Sequence, residues 1–148
     1  MVLRHIDPMI SADLMHVLML MGHGDEIVFA DRNFPAVSLA KRLLPYQGVS
    51  ITQLLPKVLH YFPIDHAVEH PVKMMLIPAD TDYKGNVKGT YQQILDTAHG
   101  SMVSIESMKR EQFYERASKA FAVVATSDSA RFANIIIRKG VVRIGEEV

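Results

Sequence analysis

Along residues 12–21 the apolar positions Leu14, Leu18 and Met21 recur at the spacing of one helix face, and Ser11 stands where an N-cap belongs. Val17, Met19 and Leu20 fill the other sides. Such a helix is expected to be buried on more than one side, by the domain core or by another subunit. Gly22 and Gly24 end it. Residues 26–30, Glu-Ile-Val-Phe-Ala, read as a short strand, and Asp31-Arg32-Asn33-Phe34-Pro35 as turn chemistry. Residues 36–44 are predicted helical. After Gly48, Ser50 with Gln53 three residues on matches a capping box and opens a helix toward Tyr61, with Pro56 as its weak point.

Residues 63–71 form a loop bracketed by Pro63 and Pro71 that carries His66 and His70. Residues 72–77 are short, apolar and closed by Pro78, the pattern of a buried strand. A polar connector over 80–89 leads to a helix over 90–98 with Tyr91, Ile94 and Leu95 on one face. A strand over 102–105, a helix over 111–119 and a strand over 121–126 follow. Ile135-Ile136-Ile137 and Val141-Val142 make a last strand pair, or one strand broken at Gly140. Strands alternating with helices, without repeat or linker, predict one α/β domain over residues 1–148.

Composition narrows the function more than the fold. Sixteen basic and sixteen acidic side chains give no net charge and there is no basic stretch, so nucleic acid is a poor partner. The longest apolar runs, 14–21 and 74–79, are too short to span a bilayer, and the start has no signal-peptide core. The chain has no cysteine, which excludes disulfides and thiolate chemistry and fits a reducing, cytoplasmic compartment.

The candidate chemistry centres on Gly22-His23-Gly24. A histidine between glycines, past a helix end and before a strand, sits at a tight turn with little bulk beside it, and its pKa range suits proton transfer. The competing reading is a glycine helix cap with His23 filling the turn. Asp31 follows the strand over 26–30, where α/β sheets place ligand-binding groups, and with Asn33 has the groups to bond sugar hydroxyls. Otherwise it is a turn-forming aspartate. His66 and His70 are spaced for a metal only on a helix, and their loop argues against one, so no metal is expected.

The segment from Met21 to Asp31, continued by Asn33-Phe34-Pro35, resembles the N-terminal signature of the L-fucose mutarotase and D-ribose pyranase family. The blocks Phe113-Tyr114-Glu115-Arg116-Ala117, Lys119-Ala120-Phe121-Ala122, Ala133-Asn134-Ile135-Ile136 and Lys139-Gly140-Val141 continue it in order, closer to the fucose branch. The resemblance implies a three-layer α/β domain assembled as a homo-oligomeric ring, typically a decamer, with sites at subunit contacts. It implies His23 as the catalytic residue, with Asp31, Arg110, Phe132, Ala133 and Asn134 binding a monosaccharide, L-fucose favoured. Phe132 departs from the family's tyrosine: it keeps a ring to pack on a sugar but has no hydroxyl to move a proton. Tyr114 and Tyr83 are the other phenols in view.

Mutarotation opens a hemiacetal and closes it on the other face. One acid and one base suffice, and no cofactor is expected. The alternative is a non-catalytic sugar-binding or regulatory protein of the same fold. A metal-dependent hydrolase built on His60, His66 or His70 is a further rival.

Overall fold

The structure is a computed structural model that describes residues 2–147. Helix α1 (Ala12–Leu20) starts where Ser11 accepts the Leu14 N–H, and it buries Leu14, Val17 and Leu18. Met19 and Leu20 are 79% and 57% exposed, so within one chain the helix is covered on one side only. Strand β1 (Glu26–Ala30) follows, then the single-turn helix α2 (Ala36–Leu39) and β2 (Leu43–Tyr46). The helix expected over 36–44 is thus half helix and half strand. Leu43-Leu44-Pro45-Tyr46 runs parallel to a later strand at the sheet edge, where a proline with no N–H is tolerated.

Helix α3 (Ile51–Leu59) carries the anticipated capping box, with Pro56 inside it. Strand β3 (Val72–Met75), helix α4 (Val87–His99), strand β4 (Ile105–Met108) and helix α5 (Arg110–Lys119) come next. The chain ends its regular structure with β5 (Ala122–Thr126) and β6 (Ile135–Arg138). The strand expected over 102–105 lies three residues later, because its register is set by pairing Val72 with Ile105 and Met75 with Met108. Val141 and Val142 belong to no strand and are exposed.

The six strands lie in the order β2-β5-β1-β6-β3-β4. β6 is antiparallel to both its neighbours, and the other pairings are parallel. The carboxyl ends of β1 to β5 therefore share one edge of the sheet, with the start of β6. Both faces are apolar, as a sheet covered on both sides requires. Ile27 and Phe29 join α1, α3 and α4 in the larger core, while Val28 and Ala30 join α2 and α5 in the smaller. This is the expected three-layer α/β domain. No helix among the described residues is long and apolar enough to cross a membrane.

Candidate active site in two halves

His23 lies at the amino edge of the sheet, in a turn closed by the Asp25 carboxylate, which accepts the Gly22 N–H at 2.8 Å. The glycine-cap reading does not apply. Helix α1 is capped by Met21 in an extended conformation, and the first left-handed residue after it is Gly24. Gly24 has φ 89°, and a Cβ there would stand 2.9 Å from Arg138 Nη2. The missing side chain at Gly24 lets Arg138 come close.

Arg138, the last residue of β6, donates through Nε to Asp65 Oδ2 at 2.8 Å. The Ala67 N–H donates to Asp65 Oδ1 at 3.0 Å, and His23 Nε2 lies 3.2 Å from both carboxylate oxygens. Asp65 is 1% exposed and the His23 side chain 48%. Burial pushes the Asp65 carboxyl upward, but the Ala67 N–H, Arg138 and His23 outweigh it, and its pKa falls below the ordinary value. An ionised carboxylate only accepts, so Nε2 carries the hydrogen. In the neutral ring Nδ1 is then the free acceptor, on an imidazole held at one side and open to solvent at the other.

Asp31 lies at the opposite edge, just past β1. Its backbone N–H donates to Asn134 Oδ1 at 2.7 Å, and Asn134 Nδ2 donates back to Asp31 Oδ2 at 3.2 Å. The Asn33 N–H holds Oδ1 at 2.9 Å. Asp31 and Asn134 are buried, and burial raises the Asp31 pKa, aided by Asp128 and opposed by the Asn33 N–H and Asn134. Buried Tyr91 donates its hydroxyl to the Ala133 carbonyl at 2.8 Å and so pins the residue before Asn134. Its phenol is pushed far up by burial and by the carboxylates Asp128 and Asp31, so it stays a donor. Arg110, at the start of α5, is exposed and stacks on Tyr114 at 5.2 Å. Tyr114 meets Phe34 edge-on at 5.3 Å, which links Arg110 to the Asp31 turn.

Of the residues expected in one site, Asp31, Arg110, Phe132, Ala133 and Asn134 share the carboxyl edge, and His23 does not. The five residues of β1 stand between, about 16 Å at roughly 3.3 Å each. Asp65 and Arg138 escaped sequence reasoning: their spacing to His23 carries no motif, and in the loop of Asp65 the residues with metal-ligand chemistry are His66 and His70. Those histidines turn apart, His66 to Arg143 at 3.1 Å and His70 to Ser104 at 2.7 Å.

Residues 4–142 fit the model of the RbsD / FucU transport protein family, and the chain belongs to it. Among its relatives, human fucose mutarotase is 42% identical over 148 residues, covering 96% of each chain. The L-fucose mutarotase of Histophilus somni (strain 2336) is 40% identical over 139 residues, 94% of this chain and 96% of its own. The crystal structure of the Streptococcus pneumoniae fucose mutarotase in complex with L-fucose superposes with a TM-score of 0.90 at 42% identity, covering 95% of this chain and all of that one.

Proposed function

We propose that this chain is a monosaccharide mutarotase, an isomerase that interconverts the α and β anomers of a free sugar, with L-fucose its favoured substrate. The observation that carries the reading is the end-to-end likeness to a fucose mutarotase solved with L-fucose. The His23–Asp65 pair supplies the chemistry. Ring opening takes a proton from the anomeric hydroxyl, gives one to the ring oxygen and breaks the bond between that oxygen and the anomeric carbon. Rotation and reclosure return both protons on the other face. His23 Nδ1 serves as one proton-transfer group, for roughly 10²–10⁴-fold acceleration.

Asp31, Asn134, Arg110 and the Phe132–Ala133 segment orient the sugar, whose neutral hydroxyls need hydrogen-bonding partners and an apolar face. Tyr114, set between Arg110 and Phe34 with its hydroxyl unbonded among the described residues, is the phenol best placed as second proton-transfer group. One chain cannot close both halves on one sugar across the width of the sheet. A second copy therefore presents its carboxyl edge to the amino edge of the first. Such a head-to-tail contact is heterologous and closes as a ring, with a decamer as the expected form. The exposed Met19 and Leu20 beside His23 are apolar surface for that contact. The cytoplasmic location expected from the sequence stays part of the proposal.

Saturation-transfer NMR on the α and β anomers of fucose, ribose and galactose tests it. Anomer exchange must accelerate with added protein, most for fucose. Saturable binding with unchanged exchange would leave a sugar-binding protein and defeat the enzyme reading.

A further inference from the structure

We propose that Thr81, Asp82 and Tyr83, in the loop between β3 and α4, form a clamp that fixes Phe132 and so sets how tightly the carboxyl-edge half holds its sugar. The inference rests on the reading that Phe132 lines that half. Phe132 has φ 58°, in the left-handed region that a residue with a Cβ enters only at a cost, and such strain persists where surrounding contacts hold it. Its two successors are pinned from inside the fold, Ala133 by Tyr91 and Asn134 by Asp31. Phe132 is only half-buried, and its ring is held from the surface loop.

Tyr83 meets Phe132 edge-on at 5.2 Å, and the Arg131 guanidinium lies 5.4 Å from the centre of the same ring. Arg131 is tied to the loop in turn: Nη1 donates to Asp82 Oδ1 at 2.7 Å and Nη2 to Thr81 Oγ1 at 3.3 Å. The Tyr83 hydroxyl accepts the Val87 N–H at 3.1 Å, which anchors the ring to the first turn of α4. The Arg131–Asp82 pair is largely exposed and so contributes little, which leaves Tyr83 as the principal hold. Gly85 makes room for that ring, since a Cβ there would lie 2.5 Å from the Tyr83 oxygen. Tyr83 is thus a positioning residue, acting on the sugar through Phe132.

The test is L-fucose anomer exchange by the full chain over a range of sugar concentrations, resolved into kcat and KM. Tyr83→Ala, and independently Gly85→Ala, are expected to raise KM about 3- to 10-fold, the worth of one aromatic pair, with kcat within about twofold and Tm little changed. Tyr83→Phe keeps the ring but loses the bond from the Val87 N–H, and is expected to raise KM less than Tyr83→Ala does. The clamp is overturned if Tyr83→Ala and Gly85→Ala leave KM unchanged while Phe132→Ala raises it; the mutarotase reading then stands. Loss by Tyr83→Phe equal to that of Tyr83→Ala would overturn the ring as the principal hold, because the lost bond to the Val87 N–H would then account for the whole effect. An unchanged KM in Phe132→Ala removes Phe132 from the sugar site, and the clamp with it. A wild-type protein that does not accelerate exchange defeats the function itself.

Discussion

The two edges of the sheet solve different problems with the same kind of residue. At the amino edge a buried carboxylate, Asp65, is surrounded by donors and kept ionised, and it presents a half-exposed imidazole to solvent. At the carboxyl edge a buried carboxylate, Asp31, is shared with an amide and kept less ready to ionise. On the proposed reading the first edge holds His23 as one proton-transfer group. The second holds the groups that orient the sugar, with Arg110 and Tyr114, the other proposed proton-transfer group, at its rim. On that reading neither edge is a complete site for ring opening, and the proposed assembly rests on this more than on any exposed apolar residue.

The sharpest way to break this comparison is to remove the proposed proton carrier. His23→Ala is expected to lower the anomer exchange rate by about 10²–10⁴-fold. Its Tm should barely move, because the side chain is half exposed. Next, His23→Ala and Asp31→Ala chains, each inactive alone, are unfolded together, refolded and assayed as a mixture. Sites shared between copies would regain about a quarter of the wild-type rate, since random head-to-tail pairing restores one contact in four. No recovery would mean that each chain builds its own site.

The third prediction concerns pH. Asp65 has its pKa below the ordinary 3.8 and Asp31 above it. For Asp65 the folded state favours the ionised form, so its stabilising contribution is present above 3.8 and lost as pH falls through the folded pKa. For Asp31 the sign reverses: the contribution is present below 3.8 and lost as pH rises through the folded pKa. Carboxyl ¹³C shifts should titrate on opposite sides of 3.8. Asp65→Asn should flatten the acid limb of the stability curve, and Asp31→Asn should leave that limb in place. The smallest effect is expected from Phe132→Tyr, which adds one hydroxyl to the carboxyl edge. Exchange should rise about two- to tenfold, the worth of one hydrogen bond. A drop with binding preserved would mean that the site is built around phenylalanine.

Much of the fold was legible because its signals are local. Ser11 and the Ser50–Gln53 box mark helix starts through bonds within one turn, and the Glu26-Ile27-Val28-Phe29-Ala30 run reads as a short strand. β2 was not legible: four residues with a proline form a strand only because β5 lies alongside. β4 was misplaced by three residues for the same reason, since its register belongs to β3 and not to its own alternation.

The candidate residues divide along the same line. The sequence by itself determined the chemistry available: the Gly-His-Gly turn, the Asp31 turn and the order of blocks that marks the family. Only the tertiary structure decided that Asp65 and Arg138 stand behind His23, that Asn134 faces Asp31, and that the two groups lie on opposite edges. The physical reason is that a hydrogen bond across 42 or 103 residues depends on how strands are ordered in the sheet, which no local spacing encodes. Whether His23 and Asp31 can meet on one sugar is likewise a matter of strand direction, and β1 points them apart.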